Sequence, residues 1–331
     1  MHPSVKNAVA ALAAARRNHQ AAPSAQAEIG SADAAYAVQD GVALVMGWFA
    51  GRAVPQHWKS GGANRTAEMA HAPLPPQGVW PSPADARQWP FFHRGIEGEI
   101  ALRLGQDVTP AQAATLDVEQ ARRLVDAMCV SIEVVDFRWA EAGAAPTWHK
   151  MADSLSHGAL VLGEWVPFQP LDWSRQRCVA TIGSQPTTEH VGTHPLGDPA
   201  FLLPAWLRHI TRTGHTAPAG TVVTTGTWTG MPWAAPGDLV QVVFDGIGPA
   251  SVMVTGPPQL NVIVPPAATA ARSPASVQFV TTASARAIGA GARADTSRQN
   301  NKAIVDGVRM ARSYARCAAL TIRKNVETPV D

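Results

Sequence analysis

Glu97 and Glu99 stand two residues apart in Ile96-Glu97-Gly98-Glu99-Ile100-Ala101-Leu102, where apolar and polar residues alternate. On a strand, residues spaced this way point to one face, about 6 to 7 Å apart along the chain. Like charges that close sit either on a solvated face or around a cation. Mg2+ and Mn2+ accept hard carboxylate oxygens in an octahedral shell that keeps water positions open. Glu133 offers a third carboxylate, because it lies between Ile132 and Val134 in a run, Val130-Ser131-Ile132-Glu133-Val134-Val135-Asp136-Phe137, that otherwise reads as a core strand. Lys59, in Gln56-His57-Trp58-Lys59-Ser60-Gly61-Gly62, is the other chemical candidate. Such an amine either stands in solvent or sits partly desolvated beside the tryptophan, where it can move protons. The many scattered histidines read as structural.

The elements that must hold these residues are legible in outline. A helix is expected over 5–20, and a second begins at Ser31, whose hydroxyl can cap the run through Met46. Residues 52–89 are rich in Pro, Gly and Trp with little periodicity, which predicts a long irregular segment. Strands follow from Gly95. A helix after Thr109-Pro110 is expected to use Asp117 as a cap and to place Val118, Ala121, Leu124, Val125 and Met128 on one face. Asp198-Pro199 opens another helix that stops at Gly214, and strands are predicted over 221–227 and 239–244, with Asp245-Gly246 turning into a strand over 250–254. Strands with a few intervening helices and no strict alternation predict an α+β roll or barrel. Residues 265–291 read as an Ala/Ser/Thr-rich linker, and 299–323 as an amphipathic basic helix docked on its own or a neighbouring subunit. The division expected is a helical region and Pro/Gly/Trp-rich loop over 1–90, a β-rich domain over 91–256, and the linker and helix over 257–331.

Composition narrows the class of partner. The 331 residues are 46% hydrophobic and 16% charged, enough to bury a sizeable core, so disorder throughout is excluded. Lys and Arg number 27 against 25 Asp and Glu, a net charge of +2 that supplies no basic field for nucleic acid. Three dispersed cysteines, Cys129, Cys178 and Cys317, make neither a disulfide framework nor a thiolate zinc site, which points to a reducing cytoplasm. Arg16 and Arg17 follow the first alanine-rich stretch, the reverse of a secretory signal, and no apolar run approaches the roughly 20 residues that span a bilayer. A soluble cytoplasmic protein is the expectation.

Taken in order, several blocks resemble the fumarylacetoacetate hydrolase superfamily. They are Trp58-Lys59-Ser60-Gly61, Ile96-Glu97-Gly98-Glu99-Ile100-Ala101, Ile132-Glu133-Val134-Val135-Asp136, Ala152-Asp153-Ser154-Leu155-Ser156-His157-Gly158, Ala219-Gly220-Thr221 through Thr227, and Pro236-Gly237-Asp238. The resemblance is to the 2-oxopent-4-enoate (2-hydroxypentadienoate) hydratase and oxalocrotonate decarboxylase branch. It implies a mixed β-sandwich or roll with N-terminal helices, and a homo-oligomer. It implies that Glu97, Glu99 and Glu133 hold Mg2+ or Mn2+, which is chelated by a 2-oxo acid substrate or its 2-hydroxydienoate enol and stabilises the enolate. It further implies that Lys59 handles a proton and that Asp153 and Thr227 meet the substrate. Hydration of a 2-hydroxy-2,4-dienoate to a 4-hydroxy-2-oxo acid, in the catabolism of aromatic compounds, is the reaction implied first. Decarboxylation, acylpyruvate hydrolysis and a binding paralogue without turnover are the alternatives. Two departures stand out: Pro75-Pro76-Gln77-Gly78 lacks the acid that hydratases carry there, and Ser154 replaces an Asn.

Overall fold

The structure is a computed structural model, and it describes residues 2–254. The linker and amphipathic helix expected after residue 257 lie outside the described residues. Helices α1 (Pro3–Asn18) and α2 (Ala32–Met46) open the chain. Ser31 caps α2 by accepting the Ala34 amide, and Gly47 ends it in the left-handed conformation (φ 68°) that a glycine adopts without penalty. Val5, Ala8, Val9 and Leu12 of α1 pack on Ala35, Val38 and Val42 of α2, and the pair rests on Trp139, Met151 and Ala152.

The strands are β1 (His57–Gly61), β2 (Ala70–Pro73), β3 (Val79–Pro81), β4 (Ala84–Asp85), β5 (Gly95–Leu104), β6 (Val125–Val135), β7 (His157–Leu162), β8 (Val166–Pro167), β9 (Arg177–Ile182), β10 (Thr188–Val191), β11 (Val222–Thr224), β12 (Leu239–Phe244) and β13 (Gly248–Met253). One sheet runs β2-β1-β11-β5-β6-β7-β3, with β8 also on β6, and the second runs β10-β9-β12-β13-β4. The architecture is α+β, as expected. Alternation decides which face is core. Ile96, Ile100 and Leu102 of β5 and Met128, Val130, Ile132 and Val134 of β6 pack against Ala180, Val240, Val242, Phe244 and Val252 of the second sheet. Gly98 takes its place in that row because the sheets approach too closely for a side chain. A Cβ there would lie 2.9 Å from Val242 Cγ1 and 3.0 Å from Thr229 Cγ2. The same alternation turns Glu97, Glu99, Ser131 and Glu133 to the opposite face.

Two local expectations change. Residues 52–89 are not one irregular segment, since β1 to β4 lie within them and β1 pairs in parallel with β11, 161 residues or more away in sequence. Short strands made by distant pairing carry no local periodicity. The expected helix after Asp117 is only α4 (Val118–Arg122), behind α3 (Pro110–Thr115), and Val125 to Met128 are already in β6. There they pair with β5 and β8, a tertiary pairing that outweighs the helical spacing of their apolar residues. Residues 199–210 divide into a 3-10 turn, Pro199–Leu202, and α6 (Leu203–Ile210).

Candidate metal centre

Register brings the acidic residues together. Glu97 of β5 faces Glu133 of β6 directly, Glu99 faces Ser131, and Thr224 of β11 faces both Ala101 of β5 and Lys59 of β1. One carboxylate oxygen from each of Glu97, Glu99 and Glu133 lies within 4.8 Å of the others. Glu99 and Glu133 are buried, and Glu97 is half-buried. Each remaining partner is fixed. Glu99 Oε2 accepts from the Thr224 hydroxyl and, at 3.1 Å, from the Gly226 amide, and Thr224 in turn meets Ser131 Oγ at 2.8 Å. Glu133 Oε1 accepts from Lys59 Nζ at 2.5 Å and contacts His157 Nδ1 at 3.1 Å. Lys59 Nζ also donates to the Leu155 carbonyl at 3.1 Å.

Charge is unevenly balanced in this cluster. Burial pushes the Glu97 carboxyl up to about 8 against the pull of Lys59, and Glu99 and Glu133 add repulsion. Burial and the charge of Glu133 push Glu99 up to about 7, although Lys59 and its two hydrogen bonds oppose this. Glu133 goes the other way. Burial alone would raise it, but Lys59 and then His157 hold it below the ordinary carboxylate range. For Lys59, burial is outweighed by Glu133, Glu97 and Glu99, which hold its ammonium above the usual value. One ammonium thus faces three carboxylates. Glu133 Oε2 is buried with no hydrogen-bond partner, and a buried anionic oxygen left unpaired is costly. Three hard oxygen donors, a deficit of positive charge and an orphaned carboxylate oxygen together fit a divalent cation.

The cluster opens on a cavity of about 360 Å3 lined by Lys59, Glu97, Glu99, Leu155, Thr224 and Thr227, among others. Thr227 contributes to the wall, while its hydroxyl donates to the Gly230 carbonyl at 2.6 Å and accepts the Thr229 amide, closing a tight turn. The structure therefore brings together Lys59, Glu97, Glu99, Glu133 and Thr227. Asp153 stands apart from them. It is absent from the cavity wall, and its buried carboxylate is engaged by Arg138 Nε at 2.8 Å, the Arg138 amide at 3.0 Å and Arg16 Nη2 at 2.9 Å. Its backbone carbonyl accepts the Ser156 amide at 2.9 Å, so Asp153 anchors the turn that leads to His157. That turn is unusual: Ser154, Leu155 and Ser156 all have positive φ, at 51°, 55° and 61°. Three successive non-glycine residues in this region are strained. The result is that the Leu155 carbonyl reaches Lys59.

Thr224, Ser131, His157, Gly226 and Leu155 are site residues that residue patterns alone did not single out. His157 alone carried a usable signal, as an ionisable side chain opening the apolar strand β7. Gln77 is exposed and lines a separate cavity with Asp136 and Arg138.

The fumarylacetoacetate (FAA) hydrolase C-terminal family matches residues 48–255, and the chain belongs to this family. Among curated proteins, it is 30% identical over 161 residues to 2-keto-4-pentenoate hydratase of Paraburkholderia xenovorans (strain LB400), and equally to 2-keto-4-pentenoate hydratase 3 of Pseudomonas putida. Each match covers 46% of this chain and 56% of the relative, so the chain spans about half the length of the curated relatives it matches. Among solved structures, 4-oxalocrotonate decarboxylase from Pseudomonas putida G7 shares the fold. Complexed with calcium and acetate it aligns with a TM-score of 0.63 at 19% identity, covering 75% of this chain and 97% of that one. Complexed with magnesium and adipate it aligns at 0.64 and 18% identity, covering 76% and 97%. Among the described residues, no helix is long and apolar enough to cross a membrane.

Proposed function

We propose that this chain is a divalent-metal-dependent hydratase that adds water to a 2-hydroxy-2,4-dienoate, or its 2-oxo-enoate tautomer, to give a 4-hydroxy-2-oxo acid in the catabolism of aromatic compounds. The observation that carries the reading is the convergence of Glu97, Glu99 and Glu133 on one sheet face around Lys59. These three carboxylates would hold Mg2+ or Mn2+. Such a cation supplies positive charge that stabilises the negative charge developing on a 2-oxo acid as it enolises.

The chain's own residues do the rest. Thr224 and the Gly226 amide fix the Glu99 carboxylate, so that its other oxygen is presented in one direction. His157 and Lys59 fix Glu133 in the same way. An ammonium has three N–H donors; Glu133 and the Leu155 carbonyl take two at Lys59 Nζ, and the third serves the cavity that Lys59 lines. Lys59 is therefore the group assigned to deliver and recover the proton exchanged during tautomerisation. Thr227 is assigned to the substrate-facing wall, and Asp153 to holding the turn that aims Leu155 at Lys59. Gln77 lies elsewhere, so no acidic side chain from that loop activates the water, and the supply of the nucleophile falls to the residues around Lys59.

The test is turnover. Protein stripped with EDTA and given 2-hydroxypenta-2,4-dienoate is expected to be inactive, and to regain hydration when Mg2+ or Mn2+ is added. Release of CO2 from a 2-oxohex-3-enedioate, or of a carboxylic-acid fragment from an acylpyruvate, with no hydration of the dienoate would assign a carbon–carbon cleavage instead, and binding of oxalate without turnover of any of these would assign a non-catalytic role.

A further inference from the structure

A second cavity, of about 420 Å3, adjoins the one at the acidic cluster. Leu155 and Ala70 line both. Met69, which lines the second, packs against Gly62 of the first, its Cε only 2.6 Å from where a Gly62 Cβ would stand. Beyond this partition the wall is apolar and aromatic: Tyr36 from α2, Met69 and Ala70 at β2, and Trp148 and Met151 from helix α5 (Thr147–Ala152). Its two charged residues stand at the margin of that wall: Lys150, which donates to the Gly143 carbonyl at 3.1 Å, and the exposed Glu68. Leu155 is held at the junction by the left-handed turn, anchored on one side by Asp153 and on the other by the Asp136 amide, which donates to the Ser156 carbonyl at 2.9 Å. The strain of that turn therefore fixes an apolar side chain between a polar cavity and a hydrophobic one.

We propose that the second cavity receives the distal end of the substrate, and that the substrate class is a 2-oxo acid or 2-hydroxydienoate with an apolar or aromatic tail. This rests on the reading of the acidic cluster as the place where the 2-oxo acid head is held. The chemistry is that of an amphiphilic ligand: the head meets Lys59 and the carboxylate cluster, while the tail reaches Trp148 and Met151 by displacing the Leu155 and Met69 side chains that divide the two cavities. The cavity is within the usual range of about 300 to 1,000 Å3 for small-molecule sites, and its lining has the usual mix of an apolar wall and few polar groups.

Isothermal titration of the full chain in Mg2+ with pyruvate, 2-oxohexanedioate and 4-phenyl-2-oxobutanoate tests this. The phenyl compound is expected to bind about tenfold or more tightly than pyruvate, the scale of burying a hydrocarbon group of that size, and the dicarboxylate to gain much less. Trp148→Ala is expected to erase the phenyl gain and leave pyruvate binding unchanged. Trp148→Leu, which keeps apolar packing, is expected to reduce the gain and serves if the alanine variant fails to fold. Equal effects on all three ligands, no effect on any, or tighter binding of the dicarboxylate than of the phenyl compound would overturn the proposal. Failure of pyruvate itself to bind in Mg2+ would instead overturn the reading of the head group's site, and this inference with it.

Discussion

Replacing Lys59 with Met removes the one ammonium among three carboxylates while keeping the length of the apolar stem. The Lys59 side chain is 13% exposed and Glu133 is fully buried, so solvent cannot replace the lost charge. Removing one partner of a buried pair costs about 3 to 5 kcal/mol, because the other charge is left uncompensated. With a urea dependence of about 3 kcal/mol per M, the unfolding midpoint of metal-free protein should fall by on the order of 1 to 2 M. The pH dependence follows from Glu133. Lys59 and His157 hold its carboxyl below the ordinary range, and without Lys59 burial dominates and the folded value rises above the unfolded one. Lys59 also pulls down Glu97 and Glu99, which burial pushes up to about 8 and about 7, so its loss raises both further. A group raised in this way contributes stability at low pH and loses it as pH rises, so the deficit of Lys59→Met should grow between pH 6 and pH 8. Saturating Mg2+ should recover part of the loss, since a cation that binds only the folded chain stabilises it by mass action. Urea titrations in EDTA and in Mg2+, at both pH values, supply the comparison. A variant as stable as the parent in EDTA at pH 8 would refute the electrostatic account of the cluster.

Further outcomes are expected elsewhere. Glu99→Gln exchanges a hard anionic ligand for a neutral amide and should weaken Mg2+ binding at least about tenfold by calorimetry; unchanged affinity and stoichiometry would reject Glu99 as a ligand. Gly98→Ala should destabilise by about 1 to 3 kcal/mol, because the new methyl meets the β-branched Val242 and Thr229, and a thermal melt indistinguishable from the parent would show that the sheets can part there. Acid should unfold the protein through His71, which is buried at 4% exposure, pushed down to about 3 by burial and then by Arg212 and Arg208, and close to His209 with ring centroids 4.6 Å apart. Its folded value lies below the unfolded value of about 6.5, so the unfolded chain binds more protons below that pH and stability falls by about 2 kcal/mol at pH 5. His71→Gln should flatten that slope in denaturant titrations at pH 7 and pH 5.

The acidic cluster was legible because alternation is a local property. Ile96 to Leu102 shows its polar face in sequence, and Glu133 betrays itself by its apolar neighbours. That Glu97 and Glu133 stand directly opposite one another is a matter of register, and no local pattern encodes it. Lys59 was recognised as chemistry but not as strand, since β1 owes its existence to β11 and β2 and its own residues, flanked by Pro55 and Gly62, have weak strand preference. Val125 to Met128 misled in the opposite direction. Their spacing suits a helix, and only pairing with β5 and β8 makes them strand. Asp153 illustrates a different gap: the family resemblance implied that it meets the substrate, and could not show that Arg16 and Arg138, one from α1 and one just after β6, would take both carboxylate oxygens. Ser131 is the one hydroxyl in the largely apolar run of β6 and Thr224 stands in Thr224-Thr225-Gly226-Thr227, and in neither place does the sequence separate a hydroxyl that orients a carboxylate from one that bonds the backbone.

Diffraction from crystals grown with Mn2+ and oxalate, read at the manganese absorption edge, locates the cation itself. One anomalous peak per chain is expected within bonding distance of carboxylate oxygens from Glu97, Glu99 and Glu133, with oxalate completing the coordination on the side of Lys59. A chain with no peak between these three residues, or with manganese bound elsewhere while they remain as described, would contradict this coordination.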